Sequence, residues 1–134
     1  MPGIPFVKDG IVTSSPYAFA TTENAKTAAA FVTIKNISEK DDKLISANSD
    51  IAEFTEIHQN LIDHDDGTMM MRKIPALNIP ENGKAILKPT GYHVMFIKLK
   101  EPLTIGLDTS LTLTFENMGD LDITIPVIQP GTKP

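Results

Sequence analysis

The sequence predicts an all-β protein, an antiparallel β-sandwich or barrel made of a single domain spanning residues 1–134. Short apolar stretches recur at intervals of roughly ten residues, and Pro, Gly, Asn or Asp residues separate them, as is typical of strands joined by turns. Helical periodicity is nearly absent. A length of 134 residues with 41% hydrophobic content is enough for one hydrophobic core, and no internal repeat indicates a second domain.

In the first half of the chain, strands are predicted where apolar and polar residues alternate. They cover residues 11–12, 16–20, 31–34, 44–47 and 51–58. Residues 25–30 are rich in Ala, which favours a helix. They lead directly into Phe31-Val32-Thr33-Ile34, whose β-branched alternation favours a strand. We therefore predict a strand preceded by at most one helical turn.

In the second half, a polar turn at residues 63–67 precedes the next strand. Pro75 lies inside the apolar stretch 74–79, so any strand there is predicted to lie at the edge of a sheet. Further strands are predicted at residues 84–87, 92–99, 111–115 and 121–125. Residues 1–10 and 127–134 are predicted to be loose ends.

Composition excludes several classes of function. A formal charge of −5 and the absence of a Lys/Arg block argue against nucleic acid as a partner. No apolar run is long enough to span a membrane. The chain has no Cys, which excludes disulfides, a CxxC pair, an iron–sulfur site and a blue-copper centre. The sulfur is carried by six Met residues, and thioethers suit an oxidising compartment better than thiolates do.

A turn containing Pro89 and Gly91 leads into a predicted strand that carries His93 and Met95. Side chains two residues apart on a strand point to the same face. Imidazole binds several transition metals, but a thioether is a soft donor that suits Cu(I). The alternative is that Met95 packs in the core and His93 is a hydrogen-bonded polar residue. On these two residues alone, that alternative is favoured.

The same residue types recur on both sides of the turn at 63–67. His58 ends the apolar stretch before the turn, and the Met run 69–71 follows it. Strand alternation places the first and third Met of this run on one face. Together with His93 and Met95, these residues could offer two imidazoles and two thioethers, a set that fits a roughly tetrahedral Cu(I) site.

The spacing of these residues resembles the motif of the periplasmic copper chaperones of the PCuAC type. That motif is a His, roughly ten residues, a Met, roughly twenty-one residues, and then His-x-Met. Here twelve residues separate His58 from Met71, and twenty-one residues separate Met71 from His93. The resemblance extends over most of the chain and includes residues 29–36, 42–45, 57–58, 87–89, 91–95 and 111–115.

The resemblance implies a cupredoxin-like sandwich that binds one Cu(I) ion through His58, Met71, His93 and Met95. It further implies a monomeric carrier, not an enzyme, that delivers copper to a recipient metalloprotein. The implied recipient is the copper centre of cytochrome c oxidase, through an oxidase subunit or an assembly factor. Members of the family are exported to the periplasm. Because residues 1–5 lack the features of a signal peptide, the resemblance implies a mature form without its leader.

Three positions depart from the family motif or leave it open. Met69 stands at the nominal ten-residue gap from His58 and competes with Met71, which is favoured by the following Arg72 and by the gap to His93. His64 could supply an auxiliary imidazole, and an additional Cu(II) site is left open. Gln59 occupies the position where many members carry a second Met.

Two classes of function remain at this stage. One is a copper carrier, and the other is a β-sandwich interaction module without a metal, whose His and Met residues are structural. An enzyme ranks third, because four protein ligands would leave a metal no open position and no acid or base is evident nearby. Glu53 and Glu56 are interpreted as residues of an exposed strand face.

Overall fold

The computed structural model describes residues 6–63 and 65–130, and this part of the chain is built from strands and turns with no helix. The all-β prediction is confirmed. Accordingly, these residues contain no helix that is long and apolar enough to cross a membrane. The eleven strands are β1 (Phe6–Lys8), β2 (Ile11–Phe19), β3 (Thr27–Asn36), β4 (Asp42–Asn48), β5 (Ala52–Ile62), β6 (Met69–Lys73), β7 (Leu77–Ile79), β8 (Lys84–Ile86), β9 (Tyr92–Leu99), β10 (Asp108–Phe115) and β11 (Gly119–Ile128).

The strands form the two layers of a β-sandwich. The first layer has the order β6-β5-β9-β3-β2, with β1 beside β2 and β8 beside β3. The second has the order β11-β10-β4-β7, and every pair within the layers is antiparallel. The end of β11 is the exception to the antiparallel prediction, because Val127 and Ile128 pair in parallel with β2. Pro126 has no N–H to donate, and β11 turns from β10 to β2 directly after it.

The core lies between the two layers and takes alternate side chains from each strand. On β9, Val94 and Phe96 are fully buried and belong to this core. On β5, Ile57 is buried in the same core. Their neighbours along each strand therefore point to the outer face of the first layer. The candidate site is built on that outer face.

The Ala-rich segment differs from the sequence-based expectation. Residues 27–30 are already part of β3, and no helical turn precedes this strand in the described chain. Ala28 and Ala30 are buried and pair with β9, so sheet pairing overrides the helical propensity of Ala. The edge prediction for residues 74–79 is confirmed, because β7 begins after Pro75 and ends the second layer.

Parts of the two segments predicted to be loose ends are regular strands. Residues 6–8 form β1 against β2, and β11 continues to Ile128. Backbone pairing with β2 holds both segments in place. Residues 1–5 and 131–134 lie outside the described residues.

Candidate metal centre

Two imidazoles face each other across the adjacent strands β5 and β9. His58 pairs directly with His93 in the antiparallel ladder, and the ring centroids are 5.8 Å apart. Both side chains lie on the outer face of the first layer, yet neither is exposed: the accessible fraction is 8% for His58 and 3% for His93. The β5–β9 register thus brings together two residues that are far apart in sequence.

An aromatic cluster, formed by Tyr17, Phe19 and Phe31, lies beside His93. The ring centroids of the three side chains are 5.0 to 5.6 Å apart, and Phe31 lies 6.4 Å from His93. Burial lowers the pKa of His93; the hydrogen bond to Gly91 opposes this shift and the nearby His58 reinforces it. His93 is therefore a neutral imidazole at neutral pH, which is the form that can bind a metal.

Met71 places a thioether against His93. It lies on β6, opposite Asn60 of β5, and therefore on the same face as His58. The Met71 Sδ atom is 3.2 Å from Nε2 of His93. Because β6 is the edge strand of its layer and Met71 is 51% exposed, this side of the candidate centre is open to solvent.

Both ring nitrogens of His93 have a neighbour that can only accept a hydrogen bond. Nδ1 is 3.3 Å from the carbonyl oxygen of Gly91, and Nε2 is 3.2 Å from the Met71 sulfur, so a neutral ring donates to one of the two. With its proton on Nδ1, His93 would offer Nε2 to a metal ion beside the Met71 sulfur. The bond lengths of tetrahedral zinc sites, about 2.05 Å to nitrogen and about 2.3 Å to sulfur, would separate two such donors by about 3.6 Å on one metal ion. The observed 3.2 Å separation fits that arrangement after a small movement of the exposed Met71 side chain.

Met95 lies on the same face of β9 as His93. It pairs with Glu56 of β5, two positions along the ladder from the pair formed by His58 and His93 and therefore next to it on the same face. Side chains at neighbouring positions of one sheet face come within reach of each other. All four residues that the sequence predicted as ligands therefore lie on one face of three adjacent strands.

The other Met and His candidates are placed differently. Met69 shares the face of Met71 but pairs with Ile62, further toward the hairpin end. Met70 lies on the opposite face of β6. His64 lies outside the described residues, so its auxiliary role stays a prediction.

Glu56 is a functional candidate that the sequence interpretation missed. Glu53 is exposed as predicted, whereas Glu56 is only partly exposed and its Oε1 atom is 2.8 Å from Nε2 of His58. Its Oε2 atom is 3.3 Å from Nζ of Lys73. The hydrogen bond from His58 holds the pKa of Glu56 below its ordinary value; burial opposes this shift, and Lys73 adds to it. The spacing Glu56-x-His58 could have indicated this contact, since both residues occupy one strand face.

The turn between β5 and β6 is a self-contained hairpin. The N–H of Asp63 donates to the carbonyl oxygen of Thr68 at 2.8 Å, and the Asp66 carboxylate accepts from the N–H and the hydroxyl of Thr68 at 2.9 and 2.7 Å. Among the described residues, no three His, Cys, Asp or Glu side chains converge so that they could hold a metal ion. The candidate centre offers two imidazoles together with thioethers, and that donor set suits Cu(I).

Comparison with known proteins identifies the family to which this chain belongs. Residues 11–127 match the family model described as "Putative lipoprotein LpqE-like". The chain belongs to this LpqE-like family. A relative from Leifsonia xyli subsp. xyli (strain CTCB07), "Putative lipoprotein Lxx21020", is 29% identical to this LpqE-like chain over 119 residues, which cover 89% of the chain and 70% of the relative.

Solved structures of PCuAC domains share the fold of this LpqE-like protein. The copper-bound PCuAC domain from PmoF2 superimposes with a TM-score of 0.80 at 20% identity, over 96% of this chain and 100% of that domain. The solution structure of CuI-DR1885 from Deinococcus radiodurans gives a TM-score of 0.68 at 25% identity, over 95% of this chain and 82% of that one. The resemblance to the PCuAC family and its cupredoxin-like β-sandwich are therefore confirmed.

Proposed function

We propose that this protein is a copper carrier that binds one Cu(I) ion as its cargo through His58, Met71, His93 and Met95. The single observation that carries the proposal is the contact of 3.2 Å between Nε2 of His93 and the Met71 thioether sulfur, beside the His58 ring. Two neutral imidazoles and two thioethers form a soft, uncharged donor set, which Cu(I) accepts readily. The likeness to the copper-bound domain from PmoF2 and to CuI-DR1885 supports this choice of metal.

The proposed centre combines a protected side and an open side. The two buried imidazoles, with the aromatic cluster beside His93, provide donors whose positions are fixed by packing. Met71 on the exposed edge strand provides a donor that solvent and a partner protein can reach. Uncharged thioethers hold the ion without the strong charge attraction of thiolates. A carrier must release its cargo, and we propose that release begins at Met71.

The proposed carrier delivers copper to a recipient metalloprotein. Following the resemblance, we propose the copper centre of cytochrome c oxidase, reached through an oxidase subunit or an assembly factor. The description of the family as lipoproteins supports an exported protein, and the proposed compartment is the periplasm or an equivalent space. Following the resemblance, we also propose that the protein is a monomer. We propose that it has no catalytic activity, because four protein ligands leave no open position on the metal for a substrate.

A titration of the copper-free protein with Cu(I) tests the proposal. The experiment is an anaerobic competition against a Cu(I) chelator. A carrier is expected to take up one equivalent. Failure to compete with even a weak chelator would leave the alternative, a metal-free interaction module with structural His and Met residues.

Substitutions in the Met run test which thioether binds. Met71→Leu is expected to remove one sulfur neighbour from bound Cu(I), whereas Met70→Leu is expected to leave the copper environment unchanged, because the two side chains point to opposite faces of β6. X-ray absorption of the loaded variants counts the sulfur neighbours. Met69→Leu is the matched control on the same face, and loss of a sulfur in that variant instead would assign the ligand to Met69.

The affinity for Cu(I) is expected to depend on pH through the imidazoles. Protonated imidazole cannot bind a metal. Because burial lowers the pKa of His93, a proton competes with copper at this residue only below the ordinary His value of about 6.5. The affinity should therefore be nearly constant above about pH 7.5 and fall at acid pH, below the ordinary His value. Competition titrations at several pH values measure this. A constant affinity over the whole acid range in which the copper-free protein stays folded would exclude His93 as a ligand.

A further inference from the structure

The two ring nitrogens of His58 have different surroundings. Nε2 is 2.8 Å from Oε1 of Glu56. An ionised carboxylate can only accept a hydrogen bond, so Nε2 carries the proton. Nδ1 is buried and has no hydrogen-bond partner within the described part of the chain. A buried acceptor without a partner costs free energy, and a metal ion bound at Nδ1 would remove that cost.

The carboxylate that holds His58 is itself held from the neighbouring strand. Lys73 pairs with His58 in the β5–β6 ladder, and its Nζ atom lies 3.3 Å from Oε2 of Glu56. Glu56 therefore contacts His58 with one oxygen and Lys73 with the other. Two such contacts restrict the rotation of the carboxylate and with it the orientation of the His58 ring.

We propose that Glu56 is a positioning residue that fixes the tautomer of His58, so that Cu(I) binds Nδ1 of His58 and Nε2 of His93. This inference rests on the proposed function. Metal-binding His residues usually donate their second N–H to a carboxylate or a backbone carbonyl, which sets the tautomer and the ring orientation. Here His58 donates Nε2–H to Glu56, and in the copper-bound form His93 would donate Nδ1–H to the Gly91 carbonyl oxygen, which lies 3.3 Å away. The two imidazoles thus present opposite ring atoms to the ion.

Nitrogen-15 NMR of the imidazoles tests the tautomers directly. The full chain is labelled at His and measured without metal and with one equivalent of Cu(I) under anaerobic conditions; Cu(I) is diamagnetic, so all signals remain observable. We expect a protonated Nε2 in His58 without metal, and on loading a large shift at Nδ1 of His58 and at Nε2 of His93. A His58 ring protonated at Nδ1, or a copper-induced loss of the proton on Nε2 of His58, would overturn the inference.

Removal of the carboxylate tests its role. Glu56→Leu is expected to give a mixture of His58 tautomers and to weaken Cu(I) binding about ten- to a hundredfold, as is typical when a residue that orients a ligand is lost. Glu53→Leu is the matched control, because Glu53 lies on the same strand, is exposed, and pairs with exposed Lys98 at 4.0 Å. It should leave tautomer and affinity unchanged. Equal affinities in the two variants would overturn the positioning role.

The outcomes separate this inference from the proposed function. If the wild-type protein takes up no Cu(I), both the proposed function and the role of Glu56 are refuted. If it binds one Cu(I) with two nitrogen and two sulfur neighbours but uses Nε2 of His58, only the role of Glu56 is refuted. The NMR measurement uses the wild-type protein, so it decides the question even if Glu56→Leu folds poorly.

Discussion

Replacing His93 with Ala is expected to lower the affinity for Cu(I) at least about a hundredfold. Loss of a residue that only orients a metal ligand commonly costs 10- to 100-fold, and loss of the ligand itself should cost no less. Nε2 of His93 lies 3.2 Å from the Met71 sulfur, and the centroid of the His93 ring is 5.8 Å from that of His58. An anaerobic competition titration of the variant and the wild type measures the difference.

The control for this variant must separate copper loss from misfolding, because His93 is buried beside Phe31. Thermal unfolding of the copper-free variant reports whether the sandwich still forms. Ile97→Ala is a matched substitution, since Ile97 lies on the same face of β9 further along the strand. It should retain Cu(I) binding. A folded His93→Ala protein with wild-type affinity would exclude His93 from the centre.

Replacing Phe96 with Ala is expected to lower the free energy of unfolding by about 3–5 kcal/mol, the usual cost of removing a buried Phe side chain. Phe96 has no accessible surface and lies on the core face of β9, three residues after His93. Chemical denaturation of the copper-free protein measures the loss. The fraction that remains folded should still bind one Cu(I), because Phe96 points away from the centre.

Phe54→Ala is the control for the stability prediction. Phe54 is 48% exposed and packs under Lys98, whose Nζ atom lies 5.6 Å from the ring centroid. This substitution should cost much less, within about 1 kcal/mol. If both Phe variants were equally stable, the assignment of Phe96 to the core face and of Phe54 to the outer face of the first layer would be wrong.

Much of the fold could be predicted from the sequence, because strand alternation and turn residues are local signals. Leu111-Thr112-Leu113-Thr114-Phe115 alternates without interruption and lies within β10. Pro75 correctly indicated an edge strand. The Ala-rich start of β3 and the parallel end of β11 were not predictable in this way, since both depend on pairing with distant strands, β9 and β2.

The candidate site likewise has features that local sequence predicts and features that depend on pairing between distant strands. The shared face of His93 and Met95 follows from the two-residue period of a strand. That His58 lies directly opposite His93 depends on the β5–β9 register, which local sequence does not encode; only the family resemblance indicated it. The burial of His93 beside Phe31 of β3 was not visible either. The contact between Glu56 and Lys73 likewise requires the β5–β6 register.

X-ray absorption at the copper edge of the Cu(I)-loaded wild-type protein tests the proposed ligand set most directly, because it identifies the atoms bound to the metal. Two imidazoles and two thioethers predict a shell of two nitrogen and two sulfur neighbours in a low-coordinate Cu(I) site. A shell composed of nitrogen and oxygen alone, without sulfur at bonding distance, would contradict the assignment of Met71 and Met95.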